Sequence, residues 1–155
     1  MEAFSNAIAE KFNGLLSYLN LTKKEFEMVA DEVEDYKLKT ACNGLSLDSM
    51  QYADELFQHL KTYGIGYVEE RAFFSLHVQD TIIDMEDQEA SQSNGYGDEV
   101  MQICLTRENM ITKAYHEILN DHFPFPNIRE IMTYQLNSLT CAFMKIKLLN
   151  RSRFA

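Results

Sequence analysis

The chain has no long uncharged apolar run, few cysteines and no excess of basic charge. No segment approaches the roughly 18 uncharged apolar residues of a membrane span, so a membrane-embedded protein is not expected. The opening "MEAFSNAIAEKFNGLL" carries Glu2, Glu10 and Lys11 and lacks a basic leading region, so it does not read as a secretory signal. The three cysteines, Cys42, Cys104 and Cys141, are widely spaced, form no Cys-x-x-Cys and cannot all pair internally. Reduced thiols in a cytoplasmic setting are the reading this supports. With 14 basic against 24 acidic side chains the formal charge is −10. A phosphate backbone would be repelled, so nucleic acid is not an expected partner. Alternation of period two never lasts more than a few residues, which argues against a sheet. "NGYG" has no preceding strand and no Lys-Ser/Thr after it, which argues against a phosphate loop.

What is present is helical periodicity. A chain of 155 residues is sized for one domain with a real core. Ile8, Phe12, Leu15, Leu19, Phe26, Val29 and Val33 recur at three- and four-residue spacing and predict a helix over 3–34. Thr22 followed by Glu25 is a capping-box pattern, so a break near Asn20 is the alternative to one long helix. A second stripe, Leu38, Cys42, Leu45, Ser49, Tyr52, Leu56 and Leu60, predicts a helix over 36–63 that runs through the turn signal Asn43-Gly44. "TYGIGY" ends it with glycine. A shorter helix is expected over 68–87 and a polar loop in "QEASQSNGYGDE". A fourth helix is expected over 98–120, stopped by Pro124 and Pro126. The fifth runs over 127–149 with Ile128, Ile131, Gln135, Leu139, Ala142, Ile146 and Leu149 inward, and Asn127 with Glu130 can cap it. Four long helices bury one another best as an antiparallel bundle.

The charge is uneven: residues 1–99 net −13 and residues 100–155 net +3. The basic run "KIKLLNRSRF" suits a solvated helix C-terminus. Among candidate chemical groups, Glu108 interrupts the stripe Met101, Cys104, Ile111, Tyr115, Ile118. Three roles stay open for it: a metal ligand, a hydrogen-bonded interior acid, or a stripe-edge residue. An interior acid would need a polar partner on another helix, with Gln135 the first choice and Tyr52 the second. A set of Tyr, Gln and Glu bonded across the bundle centre would satisfy it, with Tyr52, Tyr115 and Tyr134 near inward faces. Glu25, Glu27 and Glu32 are expected on a solvated face. Cys104 and Cys141 read as small buried hydrophobes, and Met101, Met110, Met132 and Met144 as core filling. His59 and His116 have no nucleophile at motif spacing, so no catalytic residue is assigned, and His77, near the aromatic pair of "FFSLHVQD", reads as a core-edge histidine of the crossover.

The runs "FNGLLSYLNLTKKEFEMVADEVEDYKLK", "YADELFQHLKTYG" and "RENMITKAYHEIL" resemble an uncharacterised bacterial family of small ferritin-like four-helix bundles. The resemblance covers about residues 12 to 150. It implies an all-α, ferritin-like up-down four-helix bundle with a helical crossover between two hairpins, and a buried Glu followed by Tyr seven residues on, here Glu108 and Tyr115. It also implies a question about metal. Ferritin-like carboxylate sites take a Glu from each of two helices and a Glu-x-x-His from each of the other two. This chain has no Glu-x-x-His: the second helix offers Asp48 with Gln51, and the fifth offers Gln135 with Ser138.

No metal and no cofactor is therefore expected. The first function class is a non-enzymatic bundle that forms a homo-oligomer or binds a protein partner, without membrane or nucleic acid. The second is a carboxylate-bridged iron or manganese protein with an atypical site from Glu108, a first-helix Glu, Asp48 and His59. A third is a bundle that binds a small apolar molecule between its helices.

Overall fold

The helical stripes assemble as four α-helices in the computed structural model, which describes residues 2–62, 96–121 and 125–152. They are α1 (Glu2–Glu32), α2 (Tyr36–Thr62), α3 (Tyr96–Leu119) and α4 (Pro126–Ser152). The helix expected over 68–87 lies outside the described residues. At about 1.5 Å per residue the four run roughly 36 to 46 Å. None of the described helices is long and apolar enough to cross a membrane.

Local chemistry sets the helix ends. Asp35 Oδ1 accepts the Leu38 backbone N–H at 3.0 Å, the N-cap bond that starts α2 after a three-residue connection. Thr22 does not start a new helix. Its hydroxyl donates to the Tyr18 carbonyl one turn back at 2.8 Å, so α1 passes Asn20 unbroken. α3 begins at Tyr96, so the expected loop gives up Tyr96 to Glu99 to the helix. Asn127 is not the cap of α4. Pro126 is already helical, because its fixed φ and missing N–H suit the first helical position. The Arg129 side chain then donates to the Leu119 and Asp121 carbonyls at 2.7 and 3.2 Å, closing the C-terminal end of α3.

Each helix packs against two others, in the ring α1–α2–α4–α3. Lys11 meets Asp121 and Glu25 meets Arg107, so α1 and α3 are antiparallel. Tyr52 meets Ser138 and Glu55 meets Gln135, so α2 and α4 are antiparallel too. The fold is thus two antiparallel hairpins docked so that α2 and α3, on opposite corners, point the same way. Thr62 and Tyr96 consequently stand at opposite ends of the bundle. This is the expected up-down bundle, with the chain crossing over between its two hairpins.

The predicted stripes of α1 and α2 are buried in full. Across the centre, the Phe26 and Phe143 rings of diagonal helices meet edge to face, with centroids 5.8 Å apart. Burial reaches further round α1 than the stripe requires, taking in Asn13, Ser17 and Leu21. α4 is the reverse: Tyr134, Met144 and Leu148 are exposed, as is Cys141. Tyr134 was expected near an inward face, Met144 as core filling and Cys141 as a buried hydrophobe. All three sit on the outward side because the stripe around Gln135, Leu139, Phe143 and Ile146 already fills the inner one.

Candidate functional site

Among the described residues, three polar clusters hold the chemistry of the interior. The first joins α1 to α3. Arg107 lies one position before Glu108, on the side of α3 that meets α1, and is 5% exposed; Glu25 is 1% exposed. The guanidinium grips the carboxylate with both prongs, Nε to Oε2 and Nη2 to Oε1, each at 2.5 Å. Nη1 reaches the Met110 sulfur at 2.8 Å. Burial pushes the Glu25 carboxyl above the usual carboxylate range, and Arg107 pulls it back by hydrogen bonding and charge. Burial is the larger influence. Glu25 was expected on a solvated face. It is buried because α1 is covered on more sides than its apolar letters alone require, and only an internal cation makes that tolerable. Glu27 and Glu32 are exposed as expected, with Glu27 beside Lys23.

The second cluster joins α2, α3 and α4. The buried Tyr115 hydroxyl donates to Gln135 Oε1 at 2.9 Å. Gln135 Nε2 donates onward to Glu55 Oε2 at 3.1 Å and reaches the Tyr52 carbonyl at 3.4 Å. Gln51 holds the other Glu55 oxygen at 3.0 Å. The Tyr52 hydroxyl donates to Ser138 Oγ at 2.8 Å, and its ring meets Tyr134 edge to face. Burial raises Tyr115 above the usual phenol range. It raises Tyr52 as well, with Asp48, Tyr134 and Glu55 adding to it and the Ser138 bond opposing. Burial also raises Asp48. The expected combination of Tyr, Gln and Glu is present, but the acid is Glu55.

Glu108 belongs to the third cluster. It is half-buried between α3 and α4 and pairs with Lys147 at 2.7 Å, with the two side chains 20% and 25% exposed. Its partner is a side chain on another helix, as expected. The expected identities, Gln135 and Tyr52, are incorrect: Gln135 is committed to Tyr115 and Glu55, and the Tyr52 hydroxyl to Ser138. Glu108 lies toward the α4 side of its helix, where the stem of Lys147 reaches it.

The atypical metal set is not brought together. Glu25 is held by Arg107, Glu108 by Lys147, and Asp48 lies beside Tyr52 on α2. Among the described residues no group of three or more His, Cys, Asp or Glu side chains is placed to hold a metal. His59 is half-buried and His116 exposed, while His77 lies outside the described residues. Cys42 and Cys104 are buried in the core, and burial pushes both thiols up to about 12. They are neutral and unreactive near neutral pH.

Arg107, Glu55 and Lys147 are the cluster residues that sequence reasoning missed, and Arg107 is the most deeply buried of them. The signal available was an arginine one position from an inward acid, on a helix with two packed sides. Comparison of the chain with protein-family models, curated proteins and solved structures gives no match to any of them.

Proposed function

We propose that the chain is a non-enzymatic bundle of ferritin-like topology, given over to binding protein rather than to metal or catalysis. Two hairpins joined by one long crossover are the arrangement ferritin-like folds share. The observation that carries the reading is the Glu25–Arg107 pair. Ferritin-like metal centres need inward carboxylates free to ligate cations. Here the inward acid of α1 is taken up by both prongs of a guanidinium, and that of α3 by Lys147. Freeing either would leave a protein cation without its partner, in the case of Arg107 a buried one. α4 contributes Gln135 and Ser138 at the matching depth, both already hydrogen-bonded.

The test is metal content together with mass in solution. Protein purified without added metal, then equilibrated with iron(II), manganese(II) or zinc and desalted, is expected to retain only substoichiometric metal. Stoichiometric retention that is lost on Glu108→Gln or Glu55→Gln would establish the carboxylate-bridged metal protein instead.

A further inference from the structure

We propose that the outward face of α4 is a homodimer surface, on which two copies of the chain pack α4 against α4, antiparallel, about a two-fold axis close to Cys141. This rests on the reading that the chain works by binding protein, and it names the partner as a second copy.

Three observations carry it. The first is a seam. Tyr134, Cys141 and Leu148 are spaced by seven, with Asn137 and Met144 between them, which is the period of a helix face turned toward another helix. Tyr134 is 67%, Met144 54% and Leu148 57% exposed. Scattered exposed apolar residues are ordinary, but a line of them along one helix is a patch. On α2 the exposed Leu47 and Met50 are flanked one turn away by Asn43 and Asp54, so no such line forms.

The second is a contrast. On α1, positions away from the stripe, Asn13, Ser17 and Leu21, are buried within the chain itself. On α4 the outward Tyr134, Met144 and Leu148 are exposed, although they are mostly larger.

The third is charge complementarity, which selects a second copy and fixes its direction. Glu130 is exposed near the start of α4 and Arg151 near its end. They lie at almost equal distances from Cys141 along the helix. Antiparallel pairing about Cys141 sets Glu130 of one copy near Arg151 of the other, twice by symmetry. It also sets Tyr134 against Leu148 of the second copy. Parallel pairing would oppose like charges at both ends.

Sedimentation equilibrium of the full chain, over a wide concentration range, tests this. A monomer–dimer equilibrium is expected. Tyr134→Glu with Leu148→Glu should raise the dissociation constant by about tenfold or more. Both positions are exposed, so the variant should still unfold cooperatively. Glu130→Arg alone and Arg151→Glu alone should each weaken the dimer, and the two together should restore it. Mild oxidation with copper(II)–phenanthroline and oxygen should join the two Cys141 thiols as one disulfide, their two protons and two electrons passing to the oxidant. Cys141→Ser should abolish that cross-link. A chain that stays monomeric throughout overturns the proposal. So does a dimer indifferent to the stripe and charge variants, or a monomer whose Cys141 resists thiol reagents. Each of these leaves the protein-binding reading standing, because that reading fails on a separate measurement, stoichiometric metal in the same sample.

Discussion

The two interfaces that join the hairpins solve the same problem by opposite means. Between α1 and α3 the buried polar contact is a full ion pair, Glu25 with Arg107. Between α2 and α4 it is a largely neutral set, in which Tyr52 meets Ser138 and Gln135 meets Glu55 at its half-buried edge, with Tyr115 of α3 donating to the same Gln135. A neutral donor or acceptor left without a partner costs its own desolvation, about 1–3 kcal/mol. A buried charge left without a partner costs more, and only one of the two ions can escape by changing protonation. The α1–α3 side should therefore be brittle to single changes and tolerant of paired ones, and the α2–α4 side moderately sensitive to both.

The largest effect follows from splitting the ion pair. Arg107→Met should destabilise by about 3–5 kcal/mol in urea unfolding. Glu25→Leu should cost at least as much, because a guanidinium cannot shed its proton. The double variant should recover most of the loss. Additive single effects would mean that the two side chains are not coupled. The Arg107→Met deficit should also depend on pH. Without the guanidinium, Glu25 sits still further above the carboxylate range, so the folded state holds its proton more tightly than the unfolded chain does. The deficit should shrink as pH falls and grow as pH rises through the folded-state value.

Gln135→Leu probes the neutral side. It removes the donor that reaches Glu55 across the α2–α4 interface, strips the Tyr115 hydroxyl of α3 of its acceptor, and should cost about 1–3 kcal/mol. Adding Tyr115→Phe should return part of that, since the orphaned hydroxyl goes too. A loss as large as that from Arg107→Met would erase the distinction between the two interfaces.

Alkaline titration sharpens the contrast in another way. Cys42 and Cys104 are raised from 9.0 to about 12. The unfolded chain gives up these protons near its ordinary thiol value and the folded protein only near the raised one. Their stabilisation is therefore complete below about pH 9 and is lost between there and about pH 12, at up to about 1.4 kcal/mol per pH unit for each thiol. Urea unfolding at rising pH should show this slope, and Cys42→Ala should reduce it.

The smallest effect is expected at Glu108. Glu108→Gln should change stability by less than about 1 kcal/mol, since the pair with Lys147 is partly solvated. A loss comparable to that from Arg107→Met would show that charge, rather than burial, sets the cost.

The helices were legible because burial in a bundle is periodic, and Ile8 to Val33 or Leu38 to Leu60 carry that period in their letters. Gln135 was legible for the same reason, as a polar residue in phase with an apolar stripe. Glu25 and Arg107 were not. Each sits beside the stripe, on the flank facing a neighbouring helix, and which flank is covered depends on how the hairpins dock. Glu108 was in phase but off-centre, and a long lysine on α4 could reach it where a short polar side chain could not. Tyr134, Cys141 and Met144 were misplaced because their letters are apolar while their phase points outward.

The crossing between Thr62 and Tyr96 has a consequence for how the chain acquires its structure. Within each hairpin the connections are short, so α1 with α2 and α3 with α4 can pair at small loop-closure cost. Bringing the two hairpins together must close the 33-residue stretch of chain between Thr62 and Tyr96, and is expected to be the slower step. Glu25–Arg107, Lys11–Asp121, Tyr52–Ser138 and Glu55–Gln135 all span that seam. They are expected to act as a latch that engages after the halves have met. Removing one should leave the refolding rate nearly unchanged and hasten unfolding, so the lifetime of the native state, rather than the speed of reaching it, is what these residues govern.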